Sequence, residues 1–180
     1  MTGISFNSQH EEVFPERSVE WYAAYTRANH EKRVADRLKQ SGIEYFLPLY
    51  DSIHRWKDRR VRFQSPLFPG YVFVRFQVEN RLRVLQISSV VRLVGANGNP
   101  VPIEKKEIQA LRNGLSSGID AEPHPYLTIG RRVRVKRGPL EGTYGVLMRR
   151  KNKVRFVISL DLIMRSISVE IDIADLELVA

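Results

Sequence analysis

Four consecutive residues, Phe68-Pro69-Gly70-Tyr71, carry the clearest potential for chemistry in this sequence, and that chemistry is apolar binding. They lead into the segment Tyr71–Phe76, which is apolar at almost every position and therefore typical of a central strand covered on both faces. A Pro-Gly turn at the start of such a strand lies at the rim of a sheet, where two aromatic rings can anchor an outside partner. The alternative is that both rings are ordinary core residues at a strand start.

Two groups of cationic residues suggest contact with phosphate groups. The first group lies at the start of a predicted helix and the second at the tip of a predicted hairpin: Arg27, His30 and Arg33, then Lys57, Arg59 and Arg60. Long cationic side chains reach the phosphates of nucleic acids, although each of these residues could equally belong to a solvated surface. The net charge of +9 favours a polyanionic neighbour such as nucleic acid.

Catalytic chemistry has little support in this sequence. There is no cysteine, the four histidines are scattered without metal-ligand spacing, and no phosphate-binding loop or nucleophile motif is present. We therefore expect a protein that is not an enzyme and that uses no metal and no cofactor. The lack of a signal-peptide pattern and of a long apolar run favours a cytoplasmic protein with no membrane segment.

The elements that must position these residues are a mixture of strands and helices. Periodicity and turn residues predict, in order, a strand at Trp21–Thr26, a helix at His30–Ser41 capped by Asn29, a hairpin of Ile43–Tyr50 with Val61–Gln64, the central strand Tyr71–Phe76, a strand at Val90–Val94 and a helix at Glu104–Leu115. Strands and helices mixed around one sheet predict an α+β fold.

From Gly130 onward the pattern becomes that of a small β-barrel. Val133 and Val135 alternate with cationic residues, and a Gly-Pro turn at Gly138 with further glycines leads into another strand. This order of glycines and alternating valines resembles the KOW motif of transcription and ribosomal proteins.

Further along, Leu162, Ile163 and Met164 form an apolar run beside a connection. The run is more hydrophobic than a solvated loop, which indicates either docking on a protein partner or capping of the barrel core.

Composition divides the chain into four parts. We expect a flexible tail at 1–19, a first module at 20–115, a linker at 116–126 and a second module at 127–180. Basic residues exceed acidic ones in both modules, whereas the tail and the linker are mildly acidic.

The order of these features resembles the NusG family of transcription elongation factors over nearly the whole chain, from Glu20 to Ala180. A Trp-Tyr strand, a basic helix, a basic hairpin, the Phe68–Tyr71 turn and a KOW segment follow one another as in that family. The resemblance implies an N-terminal ferredoxin-like α/β sandwich of the NGN type, followed by a five-stranded KOW β-barrel. The basic hairpin and the basic excess are similar to the specialised antitermination paralogues of the RfaH/UpxY type.

The resemblance also implies partners. In this family the first module binds the clamp helices of RNA polymerase and keeps the enzyme processive. Carried over to this sequence, the binding surface is an aromatic face of five residues: Tyr25, Phe68, Pro69, Tyr71 and Phe73. Upstream or non-template DNA would lie near the two cationic groups. Ribosomal protein S-ten or Rho would bind the second module, for which we name Leu162, Ile163 and Met164, and the protein is expected to be a monomer.

A second function is compatible with the KOW segment. A ribosome- or RNA-associated KOW protein without polymerase contact would bury Phe68 and Tyr71 in its core. Exposure of those two rings in the structure is therefore the observation that should separate the two functions.

Overall fold

The computed structural model describes residues 18–56, 59–126, 130–150 and 153–179, with the backbone alone described at 53–56, 59–61, 149–150, 153–154 and 173. The helices are α1 (Glu31–Gln40), α2 (Arg81–Leu85) and α3 (Lys105–Ser116). The strands are β1 (Val19–Thr26), β2 (Glu44–Phe46), β3 (Leu49–Trp56), β4 (Arg59–Pro66), β5 (Tyr71–Gln77), β6 (Val90–Leu93), β7 (Gly95–Ala96), β8 (Asn99–Pro100), β9 (Ala121–His124), β10 (Arg131–Val135), β11 (Tyr144–Arg150), β12 (Lys153–Leu160), β13 (Arg165–Glu170) and β14 (Leu176–Leu178). Within the described ranges, no helix has the length and apolar character needed to cross a membrane.

The first sheet is antiparallel and has the strand order β2-β5-β1-β6. Ala23 is paired with Phe73 and Tyr25 with Tyr71, so successive side chains of β1 and β5 alternate between the two faces of the sheet. Side chains on both faces of β5 are buried. The prediction of a central strand covered on both sides is therefore confirmed.

Helices cover both faces of the first sheet. On one face, Val34 and Leu38 of α1 pack in a cluster with Val72 and Val74. On the other, the buried side of α3 joins the cluster that contains Trp21 and Phe73, and the Arg112 guanidinium carbon lies 4.6 Å from a ring centroid of Trp21. The sequence therefore forms a layered α/β module in which the aromatic face lies on the α3 side.

The second sheet is antiparallel and has six strands in the order β14-β10-β11-β12-β13-β9. The expected closed barrel of five strands is wrong, because β9 occupies the outer edge of β13 and the outer strands β9 and β14 are not paired with each other. Glu122 of β9 accepts a hydrogen bond from Arg155 at 2.7 Å, and the same Arg155 nitrogen donates to Ser168 at 3.1 Å. Part of the segment expected to be linker is thus a strand of the second sheet.

One apolar cluster joins the two sheets. It contains Phe68 and Phe73 from the first module together with Val133, Leu140 and Ile163 from the second. At the helix that faces the second module, a Cβ placed on Gly114 would lie 2.8 Å from Cδ2 of Leu140. The two modules therefore share one apolar core, and α3 lies at their contact.

Candidate binding site

The aromatic face forms where β1, β5 and the turn before β5 meet. The rings of Tyr25 and Tyr71 have centroids 5.4 Å apart, and those of Phe68 and Phe73 are 5.6 Å apart in an edge-to-face arrangement. Both geometries are favourable for aromatic pairs. Pro69 is exposed at the tip of the turn. The structure therefore brings all five residues of the aromatic face together.

The turn that carries this face is held by backbone hydrogen bonds and by one carboxylate. Gly70 has a φ of +86°, which favours glycine. Its carbonyl accepts from the Thr26 amide at 2.8 Å, and its amide donates to Oε1 of Glu31 at 2.7 Å. The Tyr71 amide donates to the Phe68 carbonyl at 3.1 Å and closes the turn. The rim is thus fixed to both β1 and α1.

The rings themselves are not exposed as expected. Phe68 is 1% exposed, Tyr71 is 8% exposed and Phe73 is fully buried. The same apolar cluster contains side chains of the second sheet, so the aromatic face belongs to the core that the two modules share. The Arg165 guanidinium carbon lies 5.8 Å from the Tyr71 ring centroid, a cation–π contact between the modules. The expectation of exposed rings is therefore wrong for this arrangement of the two modules.

The first cationic group lies next to the turn. Arg27 and Arg33 are exposed, whereas His30 is half-buried and its Nδ1 is 2.8 Å from the hydroxyl of Ser89. The Arg27 amide also donates to the Ser89 carbonyl at 2.9 Å, so the loop before α1 is anchored to the loop before β6. Of these three, the two arginines have side chains directed to solvent, while the histidine serves the loop structure.

The second cationic group lies mostly beyond what the structure describes. Lys57 is outside the described residues, and only the backbone of Arg59 and Arg60 is described, in β4. Besides Arg165, a second cation that the sequence pattern did not suggest lies beside the aromatic face: the Arg92 guanidinium carbon is 5.4 Å from the Tyr25 ring centroid. This contact arises from the pairing of β1 with β6, which places Tyr25 opposite Arg92.

The apolar run of the second module divides between core and surface. Ile163 is 3% exposed and Met164 is 60% exposed, and Leu162 is half-buried against the shared cluster. Met164 has a φ of +49°, in the left-handed region, and ends the short turn that contains Ile163. Arg165, the residue over Tyr71, donates to the Met164 carbonyl at 3.1 Å. The run therefore lies beside the contact between the modules.

Acidic groups also meet across the modules. Burial raises the pKa of the Glu107 carboxyl, and the nearby negative charges of Glu104 and Asp161 raise that pKa further. Glu107 lies on α3, whereas Asp161 begins the turn that contains Ile163. Like charges thus oppose the packing of the second sheet on α3.

Comparisons with known proteins give a consistent set of relatives. The family model described as "Transcription termination factor nusG" matches residues 19–112. The transcription termination/antitermination protein NusG of Vibrio vulnificus is 28% identical over 172 residues, which span 87% of this chain and 94% of that protein. The protein of the same name from Escherichia coli K12 is 29% identical with the same coverage. A solved structure described as "Domain interaction in Thermotoga maritima NusG" has a TM-score of 0.55 at 21% identity, covering 91% of this chain and 98% of that one, which supports the fold.

Proposed function

Because this chain belongs to the NusG family, we propose that it is a transcription elongation factor that binds RNA polymerase through its first module. Its relatives are named for transcription termination and antitermination, and they are transcription factors rather than enzymes. In this proposal the first module binds the clamp helices of polymerase and promotes processive elongation or antitermination. The second sheet recruits a further partner, ribosomal protein S-ten or Rho.

The aromatic face supports polymerase binding because its five residues lie within the matched range and meet at one rim of the first sheet. Aromatic anchors in a well-packed pocket are the residues that dominate the free energy of protein binding. A helical hairpin presents apolar side chains at helical spacing. An aromatic face can bind them in the way that a hydrophobic groove binds an amphipathic helix.

Binding at this face requires the two modules to separate. Phe68 and Tyr71 are buried, and Arg165 lies over the Tyr71 ring. A polymerase helix can reach these rings only after that contact has broken, together with the packing of Leu140 against Gly114. The described arrangement is then a closed state, whose population sets the apparent affinity for polymerase.

The exposed arginines beside the turn support a DNA-facing edge. Arg27 lies in the loop before α1 and Arg33 in its first turn, and this region is held close to Gly70 by the hydrogen bonds of Thr26 and Glu31. When the aromatic face is on polymerase, this edge is available to upstream or non-template DNA, where arginine contacts with phosphates stabilise the complex in a salt-dependent way. Lys57, Arg59 and Arg60 are proposed to extend the same edge.

The second module offers Met164 and part of Leu162 to a partner. Methionine side chains adapt well to a binding surface. We assign Leu162, Ile163 and Met164 to this partner site, with Ile163 becoming accessible as the modules separate.

The experiment is a titration of the full chain onto purified RNA polymerase, followed by transcription with and without a terminator. Tyr71→Ala should weaken binding by about 2 kcal/mol, because it removes an aromatic anchor. Arg165→Ala should strengthen binding, because it removes a contact of the closed state and leaves the aromatic face intact. Arg131→Ala is the matched control, since Arg131 is an exposed arginine of the same sheet. A folded Tyr71→Ala variant with wild-type affinity would contradict the assignment.

The buried rings also favour a second candidate, a ribosome- or RNA-associated KOW protein that never binds polymerase. In that case Phe68 and Tyr71 are permanent core residues, and their burial in the structure needs no further state. The same titration separates the two functions. If neither the wild type nor Arg165→Ala binds polymerase while the wild type binds ribosomes or RNA, the second function is the correct one.

A further inference from the structure

Glu31 is a buried carboxylate, and the burial of a carboxylate costs free energy. Its side chain belongs to the buried side of α1 together with Val34, Ala35 and Leu38, and the residue is 4% exposed. Removing a carboxylate from water is unfavourable unless hydrogen bonds or charges compensate for the lost hydration. An apolar residue at this position would extend the stripe of α1 at no such cost, so the carboxylate must serve a contact of its own.

That contact is the turn of the aromatic face. Oε1 of Glu31 accepts the Gly70 amide proton at 2.7 Å, at the short end of the range for N–H···O hydrogen bonds. The left-handed backbone of Gly70 turns this amide away from the strand and toward α1. A Cβ on Gly70 would stand 3.3 Å from Cε2 of Tyr25, so the aromatic ring packs directly over the same residue.

The bond also closes a loop. The segment 27–30 begins after Thr26, whose amide donates to the Gly70 carbonyl, and it ends before Glu31, which accepts from the Gly70 amide. Both ends of the segment are therefore tied to one glycine. This segment carries Arg27 and His30, so one residue of the turn connects the aromatic face with the cationic edge.

We propose that Glu31 is a positioning residue of the binding site. It holds the turn at Gly70 so that Pro69 and Tyr71 keep their placement against Tyr25, and it fixes the loop that carries Arg27. The proposal rests on the proposed function, because the face that Glu31 positions is the one assigned to polymerase.

The test compares substitutions that keep or remove the oxygen acceptor. In the full chain labelled with nitrogen-15, Glu31→Ala should raise amide hydrogen exchange at Gly70 and weaken polymerase binding, each by about tenfold, the usual effect of losing a hydrogen bond to a charged group. Glu31→Gln keeps a side-chain oxygen acceptor at the same distance from the backbone. Its exchange rate at Gly70 and its polymerase affinity should both lie within about threefold of the wild type. Asp36→Ala, an exposed acidic residue on the same helix, is the matched control.

The two readouts separate failure of this proposal from failure of the proposed function. Wild-type exchange at Gly70 in Glu31→Ala, or equal losses in Glu31→Gln and Glu31→Ala, would overturn the role of Glu31. If Glu31→Ala does not fold, Glu31→Asp, whose carboxylate falls short of Gly70, takes its place, and wild-type exchange in that variant overturns the role as well. If the wild type does not bind polymerase, the proposed function fails, and exchange at Gly70 still decides whether Glu31 holds the turn.

Discussion

At the scale of single residues, Gly114 of α3 lies next to Leu140 of the second module. A glycine inside a helix costs about 1 kcal/mol relative to alanine, so its presence in α3 calls for a packing reason. That reason is space: Leu140 is 2% exposed, and its Cδ2 and Cγ would lie 2.8 and 3.4 Å from a Cβ at position 114. The missing side chain of one module makes room for the leucine of the other.

Gly114→Ala should therefore change the free energy of unfolding, and the sign of the change should depend on whether Leu140 is present. In the wild type the added methyl group forces Leu140 to move, and overpacking of about 1–3 kcal/mol outweighs the gain in helix propensity. In a Leu140→Ala background the space is available, and the same substitution should stabilise the chain. Denaturant unfolding of the four proteins of this cycle measures the coupling directly. An equal effect in both backgrounds would show that the two residues do not meet in solution.

At the scale of elements, the sequence predicted those whose periodicity is local. The central position of β5 and the apolar stripe of α1 follow from alternation and helical spacing, and both are confirmed. Asn29 was expected to cap α1, but it has a φ of +61° and lies before the cap position. The N-cap residue is His30, and the contact of its ring nitrogen with the Ser89 hydroxyl fixes its placement. Strand β9 contains a proline and few apolar residues, so its pairing with β13 depends on backbone partners that no local pattern encodes.

The same limit applied to the candidate site. Phe68 and Tyr71 could be singled out from the sequence, because aromatic residues at a turn before a buried strand are a local signal. Tyr25 and Phe73 were added to the face only by the resemblance to the NusG family. The burial of these rings was not predicted, because a local pattern does not show which side chains from the rest of the fold will cover a turn. Arg92, Arg165 and Glu31 were missed for a related reason: each contacts the face across strands, across modules or through a turn.

The packing of the second sheet on α3 should respond to pH through Glu107. Its pKa is raised, first by burial and then by Glu104 and Asp161, so the folded chain holds this proton more tightly than the unfolded chain. The stabilising contribution is therefore complete below the ordinary pKa of glutamate and is lost as the pH rises through the raised value. Glu107→Gln should stabilise the chain at about pH 7 and have little effect at about pH 4.

Thermal unfolding at the two pH values measures this difference, and Glu141→Gln, at an exposed position of the second module, is the control. A gain from Glu107→Gln that is the same at both pH values would show that the substitution acts through packing instead of charge.

At the scale of the whole molecule, the net charge of +9 should appear as a salt dependence of binding to a transcription complex. Reversing Arg27 and Arg33 to glutamate removes two exposed cations beside the turn. Each lost phosphate contact should flatten the slope of log affinity against log salt by about one. Reversal of Lys57, Arg59 and Arg60 should act in the same way if the hairpin reaches DNA. Arg131→Glu, on the second sheet, is the control and should leave the slope close to that of the wild type. Unchanged slopes in the other two variants would show that their cations belong to a solvated surface.

Under the proposed function, the two binding surfaces of the molecule are expected to influence each other. The aromatic face and the segment from Leu162 to Met164 meet in one apolar cluster, with Arg165 over Tyr71 between them. Polymerase bound to the buried rings should favour separation of the modules, and so should a partner that contacts Ile163, which is 3% exposed. By thermodynamic linkage, polymerase on the first module should then raise the affinity of the second module for a partner that requires separation. That partner should raise the affinity for polymerase by the same factor.

This separation can be measured directly, because the chain has no cysteine and accepts a pair of introduced ones without competition. Gln40→Cys on α1 and Glu141→Cys on the second module are exposed positions suited to a donor and an acceptor dye. Energy transfer should be high in the isolated chain and should fall when purified polymerase is added, since the rings of the aromatic face become accessible only in the separated state. Arg165→Ala should enlarge the low-transfer population before any partner is present, because it removes the cation–π contact of the closed state. A chain that binds polymerase while energy transfer stays high would show that polymerase uses a surface other than the aromatic face.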